Sequence, residues 1–303
     1  MNELFTLFLN NLLPIFLIAG AGLILARATN LDPRLLSQVI FYIFSPCLIF
    51  TLITQTKLES GMMGRVVLYT VFACLLVGCL TWIIGKLLKL EGALFSGVLI
   101  TSMFMNSGNY GLPVVLFAFG PIALGYASLF FVINVGLTYT LGTVIASMST
   151  MSLPKALLNL FKLPMLYAML LAILFSYTGW KIPLPIERAT KLLGEASIPS
   201  MLVLLGLQLK TASLIGRIKP VTLASSMRLV VSPLLAILLL PLFGLVGPAQ
   251  QAIIIEAGMP AAVLTTMLAT EFNSEPSFVT AVVFITTLLS PLTLTPLLAF
   301  LGA

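Results

Sequence analysis

The chain has 303 residues, 60% of them hydrophobic and 8% charged, with a net charge of +6 and no histidine. A water-soluble fold of this length does not need so much apolar surface, so the composition reads as an all-α protein that crosses the membrane many times. It excludes His-based proton relays and His-ligated metals, and the basic excess lies at helix ends, where it orients spans, not in a nucleic-acid patch.

A run of about 20 apolar residues crosses a bilayer. By that rule the chain reads as ten transmembrane helices, over 4–27, 34–56, 62–88, 93–119, 121–149, 154–178, 188–209, 219–244, 247–271 and 276–301. The first of these is not a signal peptide: Glu3 stands where a basic region would be, and the apolar run continues to Ala26. Cys47, Cys74 and Cys79 all fall inside apolar runs and read as small packing residues.

The fourth span carries Asn106-Ser107-Gly108-Asn109-Tyr110-Gly111-Leu112-Pro113 at its centre, and the ninth carries Glu256-Ala257-Gly258-Met259-Pro260. Proline removes a backbone donor and clashes with the preceding turn, so both helices break. Broken backbone at membrane depth survives only inside protein or along a watery cavity. Two interrupted helices in corresponding halves point to a transporter's binding site.

The halves repeat. Leu13-Pro14 matches Leu163-Pro164 and Pro33 matches Pro183, offset by 150; Pro46 matches Pro199 and Lys57 matches Lys210, offset by 153. Gly64-Arg65 matches Gly216-Arg217 at 152, and Gly111-x-Pro113 matches Gly258-x-Pro260 at 147. Five spans per repeat is odd, so the second repeat, 151–303, enters the membrane inverted relative to the first, 1–150. Arg27, Arg34, Lys86, Lys89, Lys155, Lys162, Lys210, Arg217 and Lys219 gather on one side, against Lys57, Arg65, Lys181, Arg188 and Lys191 on the other. That bias makes the first side cytoplasmic and puts both termini outside.

A helix that stops in mid-membrane ends in free carbonyls, and its second half begins with free amides. Pro113 and Pro260 suit the first turn of such second halves, which bring partial positive charge to the centre. Asn106, Ser107, Asn109 and Tyr110 add neutral donors and acceptors. Glu256 follows Ile253-Ile254-Ile255; an ionised carboxylate at that depth costs on the order of 3 kcal/mol, so it needs a proton, a cation or a partner. Arg228 is the basic residue deep in a span, about 15 Å along its helix at 1.5 Å per residue. It can pair with Glu256, bind a substrate carboxylate or snorkel. Of the remaining amides, Asn134 is the candidate to face a cavity, ahead of Gln208, Gln250 and Gln251. Thr286-Thr287 and the stretch from Ser147 to Ser149 read as helix-packing contacts.

These residues resemble the auxin efflux carrier family, which includes plant PIN carriers and bacterial malonate-type transporters. The likeness runs along almost the whole chain and is most specific at Asn109-Tyr110-Gly111-Leu112-Pro113-Val114 and Glu256-Ala257-Gly258-Met259-Pro260. Ala269-Thr270-Glu271-Phe272-Asn273 and Thr280-Ala281-Val282-Val283-Phe284 are similar to the family's end. The resemblance implies two inverted five-helix repeats with broken helices four and nine crossing at the substrate site. It also implies interleaved scaffold and transport (crossover) subdomains, an elevator-type movement and a homodimer. Substrate-binding residues would be Asn106, Asn109, Tyr110, Gly111, Pro113, Asn134, Arg228, Gly258 and Pro260, with Glu256 coupling a sodium ion or a proton. Ile255-Glu256-Ala257-Gly258-Met259 is also similar to the sodium-site stretch of the bile-acid:sodium symporters, but Pro260 replaces the polar residue those carriers have. No long hydrophilic loop parts spans five and six, which implies a prokaryotic inner (plasma) membrane protein.

The expected function is secondary transport of small organic anions, auxin-like or dicarboxylate, with membrane lipid and the anion as partners and no cofactor. The alternatives are a sodium- or proton-coupled symporter of bile-acid type, or a membrane sensor that kept the fold. An enzyme is not expected, because no catalytic carboxylates are paired at one depth.

Overall fold

Proline and glycine punctuate the chain, and the helices follow them. The computed structural model describes residues 2–29, 31–56, 58–147, 153–209 and 218–303. Lys57, Ser149, Lys210, Gly216 and Arg217, used above for repeat, charge or packing, lie outside the described residues. The main helices are α1 (Glu3–Ala28), α2 (Pro33–Gln55), α3 (Ser60–Leu87), α4 (Gly92–Met103), α5 (Ser107–Ala146) and α6 (Pro164–Thr178). They continue with α7 (Leu184–Gln208), α8 (Ile218–Phe243), α9 (Gly247–Ala257), α10 (Val263–Glu271) and α11 (Pro276–Phe300). Seven of these (α1, α2, α3, α5, α7, α8 and α11) are long and apolar enough to cross a bilayer. No strand occurs among the described residues, only an isolated bridge. Large side chains such as Leu238 and Leu292 are more than two-thirds exposed, the surface of an integral membrane protein.

Local chemistry explains the boundaries. The Asp32 side chain accepts a hydrogen bond from the Arg34 amide at 2.9 Å and caps α2, with Pro33 in its first turn. Wide, π-type turns occur at Thr138–Gly142, which no proline follows closely, and at Phe8–Leu12, Ile40–Phe44, Ser107–Gly111 and Met227–Val231. Each of the last four is followed, two residues past its end, by a proline: Pro14, Pro46, Pro113 and Pro233. Proline cannot donate to the carbonyl four residues back and clashes with it, and the wider turn relieves the clash without breaking the helix. Within α5, Gly120 takes φ 77° and ψ −167°, and Pro121 restarts the helix. The expected boundary between residues 119 and 121 falls at this glycine-permitted kink, which joins two helices within α5. The expected span 154–178 is shorter than read. A short helix (Leu153–Leu158) and a 3₁₀ turn (Asn159–Lys162) precede α6, which begins at Pro164.

Helix α1 lies along α7, and α6 along α2. The first pair touches backbone to backbone: a Cβ on Gly206 would fall 1.8 Å from the Ala19 carbonyl oxygen, and one on Gly22 2.3 Å from that of Val203. Close contact of small residues is how helices gain dispersion energy where lipid removes the hydrophobic drive. Helices α3, α4, α5 and α8 to α11 pack chiefly on one another.

The two breaks meet. After α4 the chain is extended over 104–106, and after α9 it is non-helical over 258–262. The Asn106 amide donates to the Pro260 carbonyl at 2.8 Å and the Ala262 amide to the Phe104 carbonyl at 3.0 Å, around an antiparallel bridge between Met105 and Ala261. Each break thus satisfies backbone groups of the other where no water is at hand. Pro113 sits in the helical stretch after the first break, as expected. Pro260 does not open a second half-helix: it lies in the extended linker, and α10 begins at Val263. Its carbonyl is needed for the bridge. The strings Gly111-x-Pro113 and Gly258-x-Pro260 therefore occupy different places, one after its break and one within it.

Candidate functional site

The second half-helices begin at the crossing, and both beginnings line one cavity of about 100 Å³. Ser107, Gly108 and Asn109 come from the start of α5, and Ala262, Val263 and Leu264 from the start of α10. Helix starts present unpaired amides and partial positive charge. The other walls are Ser37, Phe41 and Ser45 of α2, Phe131, Asn134 and Thr138 of α5, and Met201, Leu204 and Gln208 of α7. Among the described residues, no carboxyl, guanidinium or ammonium group is one of its walls.

The cavity continues into a vestibule of about 700 Å³, sharing Ser37, Gln208, Val263 and Met267 with it. The vestibule reaches Asp32, Arg34 and Glu271, on the side that gathers the larger group of basic residues.

Three of the sequence-predicted residues meet at the cavity: Asn106, Asn109 and Asn134. Asn134 braces the first break, its Nδ2 donating to the Met105 carbonyl and to Ser107 Oγ, both at 2.9 Å. Asn109 Nδ2 donates to Gln208 Oε1 at 3.5 Å, tying the start of α5 to α7. Tyr110 points elsewhere: it is fully buried, accepts from Ser290 Oγ at 3.0 Å, and meets Phe16 edge-on at 6.0 Å. Gly111, Pro113, Arg228, Glu256, Gly258 and Pro260 are not among the cavity's walls either.

Arg228 has a role that the sequence did not disclose. Its guanidinium is fully buried and donates to the Ser102 carbonyl at 2.9 Å, the Met103 carbonyl at 3.2 Å and the Ala257 carbonyl at 2.5 Å, and to Ser232 Oγ. Ser232 also donates to the Ala257 carbonyl, at 3.0 Å. Those carbonyls end α4 and α9. One cation thus holds the negative ends of both first half-helices. This arrangement replaces the three expectations for Arg228: the planar fork is taken up by backbone, its Nε has no partner, and no Arg228–Glu256 ion pair occurs among the described residues.

Glu256 is fully buried, and neither carboxyl oxygen has a hydrogen-bond partner among the described residues. It lies against Gly111, where an added Cβ would fall 2.2 Å from Oε2. The carboxyl group thus abuts the first turns of α5, and a larger residue at 111 would have to displace it. Gly258 instead faces Leu297 and Leu294, a packing position.

Sequence reading undervalued Gln208 and missed Ser37, Ser45 and Thr138. Thr138 follows Asn134 by four residues, one helical turn, and that spacing is a signal for a shared face. Ser37 and Ser45 give no such signal, because serine in membrane helices is a common packing residue.

The chain matches the membrane transport protein family over residues 7–298. It is 30% identical to an uncharacterized transporter of Methanocaldococcus jannaschii over 264 residues, covering 85% of this chain and 86% of the relative. It is also 30% identical to an uncharacterized transporter of Methanothermobacter thermautotrophicus over 267 residues, 86% of each chain. A Rhizobium meliloti protein named "Putative malonate transporter" is 25% identical over 306 residues, 94% of this chain and 93% of the relative. With its apolar helices, this match makes the chain an integral membrane protein of the membrane transport protein family, the auxin efflux carrier class that its sequence resembles.

Proposed function

We propose that the protein is a secondary transporter of small organic anions, and that it binds them in the cavity between α2, α7 and the crossed breaks. One observation carries this reading: two helix starts converge on a cavity whose side chains are neutral, while the two opposing helix ends are neutralised from behind by Arg228. The uncompensated partial charge at the cavity is positive, and amides at a helix start bind carboxylates. Malonate, in the name of the Rhizobium relative, is the first carboxylate to try.

The packing supports a ten-span reading in two inverted repeats, 1–150 and 151–303, with α4 plus the first part of α5 as one broken span and α9 plus α10 as the other. Helix α1 pairs with α7 and α6 with α2, the exchange expected of two repeats related by a twofold axis. These four form the scaffold, and the remaining helices form the transport unit. The anion rides between them in an elevator-type movement, and the assembly is a homodimer. With the more basic side cytoplasmic, both termini are outside and the vestibule opens inward.

The buried, unpartnered Glu256 favours a coupled form of this transport. A bare carboxylate there costs several kcal/mol. The Ala257 carbonyl, a candidate cation ligand, already accepts from Arg228 and Ser232. The proton is therefore the coupling species, ahead of sodium. Uptake of labelled carboxylates into proteoliposomes tests the whole reading. Accumulation above empty liposomes, lowered about tenfold by Asn109→Ala at subsaturating carboxylate, is expected; no uptake of any carboxylate would leave a sensor as the better reading.

A further inference from the structure

The cavity walls hold an unbalanced set of hydrogen-bonding groups. Asn134 is 2% exposed, and its Oδ1 has no partner. Its orientation is fixed, because the Met105 carbonyl can only accept and so must face Nδ2. Oδ1, an acceptor, is therefore the orphan. Asn106 is 5% exposed, and its Nδ2, a donor, has no partner. Ser45 is 1% exposed, and its hydroxyl is unpartnered as well, although a helical serine ordinarily bonds a carbonyl one turn back. The three come from α2, from the extended linker and from the second part of α5.

Buried polar groups in native proteins are satisfied, and each orphan needs an account. A bound carboxylate can accept from Asn106 Nδ2 and from the Ser45 hydroxyl, but it offers nothing to Asn134 Oδ1, which needs a donor. A simple carboxylate brings only acceptors.

Resting on the organic-anion reading of this cavity, we propose that its ligand is a small carboxylic acid bearing a hydrogen-bond donor, a hydroxyl or N–H, next to the carboxylate. The carboxylate takes the amides of α5 and α10 and the Asn106 Nδ2 donor. The hydroxyl or N–H donates to Asn134 Oδ1. Ser45, able to donate and accept, closes the set. A site with placed polar groups discriminates against an analogue that lacks the matching group, because a buried acceptor is then stranded.

Matched pairs test this on the purified full chain in detergent or nanodiscs: lactate against propionate, hydroxymalonate against malonate, and the uncharged lactamide against propionamide. Binding is read by thermal shift and by competition. The hydroxylated member is expected to bind about tenfold or more tightly, the effect of one stranded acceptor. Asn134→Leu should level the pair. Because Asn134 also braces the first break, that variant is secondary, and the unaltered chain decides. Equal affinities within every pair, with the orphans satisfied by water alone, would overturn the proposal. Preference for lactamide with no binding of any acid would keep the donor–acceptor complement and sink the anion reading.

Discussion

The two helix breaks share a backbone device and differ in everything else. Both run from a short helix through extended chain into a second helix, and each supplies the other's missing hydrogen bonds. The first is built of Asn106, Ser107, Gly108 and Asn109 and braced by Asn134; the second is built of Gly258, Met259, Pro260, Ala261 and Ala262. Its one ionisable side chain, Glu256, turns away from the cavity toward Gly111. The comparison teaches a division of labour. In the proposed function the polar break reads the ligand, and the apolar break contributes a helix start and a buried carboxyl group. Arg228 is what the two have in common, since it holds the end of each.

The largest effect should therefore come from Arg228. Arg228→Leu strands the carbonyls of Ser102, Met103 and Ala257, at about 1–3 kcal/mol for each buried unsatisfied group, and should prevent stable folding. Arg228→Lys keeps the charge but loses the fork and should melt between the two. Thermal unfolding in detergent checks this, and an Arg228→Leu protein melting like the unaltered chain would refute the shared clamp. Combining Arg228→Lys with Glu256→Gln should give additive shifts, as expected of residues that do not pair.

Next comes the contact between the breaks. Gly111→Ala puts a methyl group 2.2 Å from Glu256 Oε2, and overpacking of this kind costs about 1–3 kcal/mol. Adding Glu256→Ala removes the clashing group and should restore most of the lost melting temperature, whereas Glu256→Gln should not. If both second changes behave alike, the two breaks do not touch through this pair.

A smaller effect separates the breaks by function. Asn109→Ala should lower carboxylate flux at subsaturating concentration about tenfold, the loss of one hydrogen bond to a charged group, with melting unchanged because its protein partner is a single 3.5 Å contact. Met259→Leu at the second break should alter neither flux nor affinity. Equal losses from the two would erase the division of labour.

Much of this was legible in the sequence because membrane physics is strict. Apolar runs gave the helices, and polar residues with proline in mid-span gave both breaks, since nothing else tolerates them there. Asn106, Asn109 and Asn134 stood out for the same reason, and the three line one cavity. Tyr110 was misread because helix geometry within the break turns it away from its neighbours toward Ser290, and no spacing rule covers a wide turn beside extended chain. Arg228 was misread because its partners are backbone carbonyls, which leave no trace in side-chain patterns. The Gly-x-Pro match does not align the two breaks, because Pro113 follows its break and Pro260 lies within its own. In the structure α4 and α9 end at Met103 and Ala257, and the second helices start at Ser107 and Val263. Those offsets, 154 and 156, extend the rise from 150 to 153 seen earlier in the chain, and 147 does not.

The smallest expected change in stability carries the most mechanism. Glu256 is fully buried without a hydrogen-bond partner and lies against the first turns of α5. An anion bound at Ser107 to Asn109 would share that stretch of helix with the carboxyl group, and two negative charges at one helix start oppose each other in a medium that screens poorly. On the proposed reading, binding of the anion requires Glu256 to hold a proton, and release of the anion frees that proton to leave. Glu256→Gln fixes the neutral state at nearly the same shape. It should melt close to the unaltered chain, still exchange anion across the membrane, and lose any acceleration by a proton gradient. Flux in proteoliposomes against external pH, at fixed membrane potential and with and without sodium, checks this. The unaltered chain should respond to pH and not to sodium, and the variant to neither. A variant that keeps the full pH response would make Glu256 a structural group and leave the anion's own gradient to drive the carrier.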